Sequence, residues 1–126
     1  MSTESKRPAI KFLKHSAEDI LAGKKTLEPR PRSLRWIERI EKADVVDLTY
    51  GPRMGAPTIF ATAKIEKVEI RPFDTITPDD LKRVGYGWEL RTVAEFISAY
   101  TEWYAKELAK GYPVAWIYFT VIEPKL

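Results

Sequence analysis

Between Gly23 and Arg30 the chain reads Gly-Lys-Lys-Thr-Leu-Glu-Pro-Arg, and this octapeptide restricts its own geometry more than any other stretch. Pro29 fixes its own φ and pushes Glu28 out of the helical region into an extended one. The segment from Lys25 to Arg30 is therefore read as extended or nearly so. Side chains two apart in an extended chain share a face. Glu28 and Arg30 then point the same way, and the long stem of Lys25 lets its ammonium reach back toward them. The result is a compact site with two cations around one carboxylate. It suits a phosphate or the polar edge of a base, and it can lower the lysine pKa or hold the carboxylate ionised. The plainer reading is a salt bridge that pins the loop after the preceding helix.

The rest of the chain frames that segment with short elements. Ala9–Leu13 has the partial alternation of a first strand. Ser16 is placed to cap a short helix from Ala17 to Ala22, with Gly23 just past its end. Pro29-Arg30-Pro31-Arg32 is a stiff, cationic connector. Ser33 caps a second helix from Leu34 to Ile40, with Trp36, Ile37 and Ile40 on one face and Arg32, Arg35 and Arg39 on the other. Val45–Tyr50 is a strand. Gly51 to Pro57 is a loop. Thr58 to Ile70 is a long strand in which Ile59, Ala61, Ala63 and Ile65 take one side and Phe60, Thr62, Lys64 and Glu66 the other. Arg71-Pro72-Phe73 ends it.

Thr77 and Pro78 open a third helix, and Gly85-Tyr86-Gly87-Trp88 forms a flexible aromatic loop. Thr92-Val93-Ala94-Glu95 is a capping box for a long helix reaching about Lys110, with Val93, Phe96, Ile97, Tyr100, Tyr104 and Leu108 on its apolar face. Pro113 to Ile122 is apolar at nearly every position, as expected of a strand buried on both faces. Strands interrupted by helices imply an α+β domain, a small mixed or closed β structure with helices over its ends. Residues 1–8 are expected to be a flexible N-terminus and 9–126 one domain.

Composition narrows the chemistry. The chain has 126 residues, 44% of them apolar, and no cysteine, which excludes disulfides, thiolate metal sites and thiol nucleophiles. His15 is the single histidine, so a multi-histidine metal site is excluded too. No metal or other cofactor is expected. No apolar run approaches the ~20 residues that span a bilayer, and the polar N-terminus has no signal-peptide core; a cytoplasmic protein without membrane contact is expected. Residues 1–40 hold ten Lys/Arg against five Asp/Glu, and the remainder eleven against thirteen. The basic surplus thus surrounds the octapeptide, as a phosphate-contacting surface would require.

The pattern G-x-K-x-x-E-x-R, carried by Gly23, Lys25, Glu28 and Arg30 after the lead-in Asp19–Ala22, resembles the signature of the ASCH (activating-signal-cointegrator homology) domain. That resemblance implies a small PUA-like β-barrel with flanking helices and recognition of RNA or a nucleotide-like ligand in a cleft bearing the motif. Lys25 and Arg30 would meet phosphate or a base carbonyl. Glu28 would accept from an exocyclic amine or a ribose hydroxyl. Arg32 and Arg53 are further phosphate contacts, and Tyr50, Tyr86 and Trp88, beside glycine-containing loops, are stacking candidates. Trp36 and Phe73 are weaker wall candidates, and Trp103 and Trp116 are read as core or edge residues.

The alternative is a small, metal-independent hydrolase. Some bacterial relatives of the ASCH type are amidohydrolases acting on N4-acetylcytidine, through a lysine, a threonine and a glutamate. The lysine matches Lys25. Glu28 stands where the threonine is expected, and Glu89 is the available glutamate. Lys25, with Glu28, is then the catalytic candidate, either for deacylation or for ribonuclease chemistry. A third reading keeps the fold for binding a protein partner through Tyr86 and Trp88.

Overall fold

The computed structural model of the protein describes residues 7–51, 55–85 and 92–125. Its elements follow in the order β1 (Ala9–Lys11), α1 (Lys14–Leu21), β2 (Leu27–Pro31), α2 (Leu34–Ala43), β3 (Val45–Tyr50), β4 (Thr58–Ile70), a 3-10 turn (Phe73–Thr75), α3 (Pro78–Val84), α4 (Val93–Trp103), α5 (Ala105–Ala109) and β5 (Val114–Pro124). The strands form one curved half-barrel sheet in the order β1-β3-β4-β5-β2. β1 runs parallel to β3, and the other pairings are antiparallel.

β5 lies between β4 and β2 and is buried on both faces only from Val114 to Phe119; beyond the reach of β2, Thr120 and Ile122 are exposed, so the expected two-faced burial holds for the first half of the strand. Ala115, Ile117 and Phe119 enter one core with Ile10, Phe12, Ile20, Ile37 and Phe60, beneath α1 and α2. Val114, Trp116 and Tyr118 enter a second with Leu27, Phe73, Leu81, Phe96 and Tyr100, beneath α3 and α4. Each side of the strand therefore meets its own hydrophobic layer, and a two-faced burial leaves no room for polar alternation.

β2 is an edge strand. That is where Pro29 and Pro31 are tolerated, because proline has no N–H to donate and the outer side of an edge strand has no neighbour awaiting one. The stretch expected to be a connector is thus part of the sheet, paired in register from Leu27 with Tyr118 to Pro31 with Val114. The other edge, β1, is only three residues long, shorter than the strand expected to reach Leu13.

Several local expectations give way to tertiary structure. α1 begins one turn early, because Ala17 N–H already donates to Leu13 O at 3.0 Å. Ser16 is therefore buried inside the helix rather than capping it. In β4 the alternation is reset by bulges: Leu48 faces Ala61 and Thr49 faces Ile59, leaving Phe60 as the extra residue. Phe60 turns into the core, while Ile59 is 44% exposed. A second bulge at Glu66 brings Val68 to the side of Ile65.

The long helix is broken at Tyr104 (φ −108°, ψ 23°). No glycine or proline stands there. The Tyr104 ring packs 6.0 Å from that of Phe73, so packing rather than propensity sets the break. Ser33 and Thr92 cap as expected, and Thr77 does so within a full capping box with Asp80. Arg7 and Pro8, read as part of a tail, are held against β3: Asp47 N–H donates to Pro8 O at 2.9 Å, and Arg7 pairs with Asp47 at 3.2 Å. No helix among the described residues is long and apolar enough to cross a membrane.

Gly85 ends α3 with φ +87°, and a Cβ there would stand 3.0 Å from the Lys25 Cβ. Gly111 has a similar φ of +81° with nothing within 4 Å. Gly111→Ala should cost about 1–2 kcal/mol, the left-handed backbone penalty alone. Gly85→Ala should cost clearly more, because Lys25 must also move. Urea denaturation of both variants tests this; equal losses would mean that the Gly85–Lys25 approach constrains nothing.

Candidate functional site

The octapeptide sits where three elements meet. Gly23, at φ +78°, closes α1, and Lys24 N–H donates back to Asp19 O at 2.8 Å. The chain then runs past the end of α3, where Thr26 N–H donates to Arg83 O at 2.8 Å, and enters β2. Lys25 follows the same route with its side chain. Its ammonium donates to Val84 O at 2.8 Å and Leu27 O at 3.3 Å. Val84 O is one of the terminal carbonyls a helix leaves without an internal partner, at the negative end of its dipole.

Glu28 joins the two cations. Its Oε1 lies 2.8 Å from Lys25 Nζ and its Oε2 accepts from Arg30 Nε at 2.7 Å. The shared face of Glu28 and Arg30 follows from the period-two geometry of β2. Arg30 then reaches across the open seam of the half-barrel: its Nη2 donates to Lys11 O at the end of β1, and its guanidinium lies 4.9 Å from the centre of the Phe12 ring. Lys25, Glu28 and Arg30 are 1%, 5% and 8% exposed, so the triad is an interior one.

Burial alone would push the Glu28 carboxyl up, but Lys25 and Arg30 outweigh it and hold it below the ordinary carboxylate value. Burial lowers the Lys25 ammonium, and Glu28 only partly offsets this. Burial would lower Arg30 as well, yet Glu28 carries it above its usual value. Arg32, half-buried beside this group, is lowered by burial and by the like charge of Arg30. Two arginines and one carboxylate therefore leave the region short of negative charge.

Beside the triad lies a cavity of about 480 Å³. Glu28, Arg30, Arg32 and Lys11 supply its charged lining, and Phe12, Tyr100, Trp103 and Tyr104 its aromatic walls. His15, Ser16 and Leu13 complete it from the start of α1. The volume falls within the ~300–1,000 Å³ of small-molecule sites.

The residues picked out from sequence divide. Glu28, Arg30 and Arg32 meet at the cavity. Lys25 lies behind Glu28 and does not line it. Tyr50 packs half-buried against Phe60, ring centres 5.9 Å apart, away from the cavity. Phe73 and Trp116 are core residues. Trp36 is half-buried beneath the Arg32 guanidinium, 5.6 Å from the ring centre. Arg53, Tyr86, Trp88 and Glu89 lie outside the described residues. Sequence reasoning missed Lys11, Phe12, His15, Tyr100, Trp103 and Tyr104. The two phenols four residues apart, Tyr100 on α4 and Tyr104 at its end, were a usable signal, since a tyrosine within an apolar stripe still needs a partner for its hydroxyl. Trp103, read as a core or edge residue, is 53% exposed and lines the cavity.

No protein-family model and no curated protein matches the chain in sequence. Solved structures do match in fold. The hypothetical protein PH0355 superposes with a TM-score of 0.69 at 20% identity, over 92% of this chain and 99% of that one. The ASCH domain from Lactobacillus crispatus JV V101 gives 0.55 at 14% identity, over 98% and 87%. The chain has an ASCH-like fold. EF3133 from Enterococcus faecalis V583 shares it, with a TM-score of 0.60 at 18% identity, over 86% of this chain and 67% of that protein. The ASCH-like frame thus agrees with the barrel that the motif resemblance implied.

Removing the carboxylate should expose the cost of the interior charges. Glu28→Gln should lose about 3–5 kcal/mol at neutral pH, since Lys25 and Arg30 are left buried without their anion. The folded pKa of Glu28 lies below the unfolded one, so its contribution is present above pH 4.5 and is lost as pH falls through the folded value. The gap between wild type and variant should therefore shrink in acid. Urea midpoints at pH 7 and pH 3 check this, and a gap independent of pH would contradict it.

Proposed function

We propose that the protein binds RNA or a nucleotide-like ligand in the cavity beside the triad. One observation carries this: Glu28, Arg30 and Arg32 share a single cavity with four aromatic side chains. A base stacks on an aromatic wall, which tolerates any base because each has a π face. The Glu28 carboxylate accepts from an exocyclic amine or a ribose hydroxyl, as an ionised carboxylate is an acceptor only. Arg30 and Arg32 meet phosphate or a base carbonyl. The ASCH-like fold is in keeping with this reading. Tyr50, Arg53, Tyr86 and Trp88 are not needed for it.

Lys25 acts in this reading as a positioning residue. Among the described residues its ammonium donates to Val84 O and Leu27 O and lies 2.8 Å from Glu28 Oε1, an ion pair that favours the charged form of the lysine. A nucleophile or general base must be deprotonated and must face the substrate. These contacts favour recognition over the hydrolase alternative.

Two variants test the reading, each followed with a short single-stranded RNA by anisotropy and by the mass of the intact RNA. Trp103→Ala should weaken binding by about 1–3 kcal/mol through lost stacking, with unchanged folding because the ring is half-exposed. Arg32→Ala should weaken it too and reduce the salt slope by about 0.7, the value for one phosphate on a single strand. RNA mass should stay constant over hours. Binding indifferent to both variants would remove the cavity from the account. Turnover of the RNA, or of N4-acetylcytidine run in parallel, would instead place the protein among the hydrolases.

A further inference from the structure

The cavity does not absorb the positive charge that surrounds it. On α2, Arg35 and Arg39 lie four residues apart and Lys42 three further on, which places all three on the helix side away from the buried Ile37 and Ile40. All three are exposed, and Glu38 flanks the row. Among the described residues neither Arg35 nor Arg39 forms an ion pair. Lys42, in the last turn, complements the helix dipole, but Arg35 stands in a first turn that has no acidic residue. Like charges at a spacing of four destabilise a helix. Helix stability therefore does not account for this pair.

The row begins beside a residue that the cavity's own arginine covers. Arg32 lines the cavity and stands three residues ahead of Arg35, its guanidinium held over Trp36. Arg32 stands just before α2, and Arg35 and Arg39 follow it in sequence on the exposed side of the helix. A basic row on the helix whose Trp36 lies under the cavity's Arg32 suits the backbone of a single strand, whose phosphates continue beyond the nucleotide whose base is stacked.

We propose that the cavity holds one nucleotide of a single-stranded RNA and that Arg35 and Arg39 bind phosphates of its neighbours, so that the ligand is a strand and not a free nucleotide. The inference rests on the nucleotide-binding reading of the cavity. Nothing in it requires base contacts from α2: the track positions the strand, and the cavity reads one unit of it.

The test compares nucleoside 5′-monophosphates with an RNA of about six nucleotides, within the range of single-strand site sizes. Both are titrated into wild type and into the double variant Arg35→Gln/Arg39→Gln across a salt series. In wild type the oligomer should bind at least about tenfold more tightly than a monophosphate. In the variant that advantage should be lost, and the salt slope for the oligomer should fall by about 1.4, two single-strand phosphates' worth. Monophosphate affinity should be unchanged. If monophosphates bind but the oligomer gains nothing, or the variant keeps the full advantage, the track is overturned and the cavity reading survives. If neither probe binds wild type, the cavity reading falls and the track with it.

Discussion

The carboxylate of Glu28, held between Lys25 and Arg30, is the interaction on which the rest of the site depends. Through Lys25 it is tied to the end of α3, and through Arg30 to the end of β1. β2 contains two prolines and has a sheet partner on one side only, so its outer side lacks a ladder that would hold it in place. The triad supplies that restraint with side chains. It also sets the charge of the interior: two cations and one anion leave a net positive group inside the fold. A buried ionic group of this kind is weak evidence for stability, because apolar residues of similar volume often serve as well or better. Its cost is more readily understood if the carboxylate and the guanidinium also have something to face.

What they face exists because the sheet does not close. β1 and β2 are its two edges, and β1 is three residues long. Among the described residues the Arg30 side chain crosses the seam between them, where no backbone ladder joins the two edges. The two hydrophobic cores approach each other there, Phe12 belonging to the first and Tyr100 to the second. A gap at the border of two cores is lined by aromatic rings from both, and the interior charges come to its surface through Glu28 and Arg30. The cavity is thus a consequence of strand length and sheet order, and its mixed polar and aromatic lining follows from where the seam runs.

How much of this was legible in the chain depends on the range of the interactions involved. The extended run from Lys25 to Arg30, the shared face of Glu28 and Arg30, and the reach of Lys25 came from proline and strand geometry over six residues, and they hold. So do β3 and β5, where β-branched and aromatic runs leave little choice. The capping boxes at Thr77 and Thr92 add a local hydrogen-bond signature, although only Thr92 was recognised as one from sequence. What failed was non-local. No local rule places Phe12 opposite Tyr100, and a bulge at Phe60 appears only when β4 must fit β3. Lys25 is the instructive case. Its charge and spacing marked it as a site residue, but the direction of its ammonium was decided by α3, which arrives some sixty positions later. A lysine pointing into the cavity and one pointing away from it have the same local sequence.

That direction bears on what the site can recognise. With Lys25 on one oxygen and Arg30 on the other, the Glu28 carboxylate is kept ionised, its pKa below the ordinary value. It then presents only lone pairs to a ligand. Any group opposite it must donate an N–H or O–H; an acceptor there would be repelled and left unpaired at a buried position, at a cost of about 1–3 kcal/mol. Arg32, lining the same cavity, favours an acceptor nearby. A ligand that satisfies both must carry donors and acceptors a few ångströms apart on a body flat enough to lie against aromatic rings. Nucleobases joined to a sugar phosphate have that arrangement; simple carboxylates offer only the acceptors.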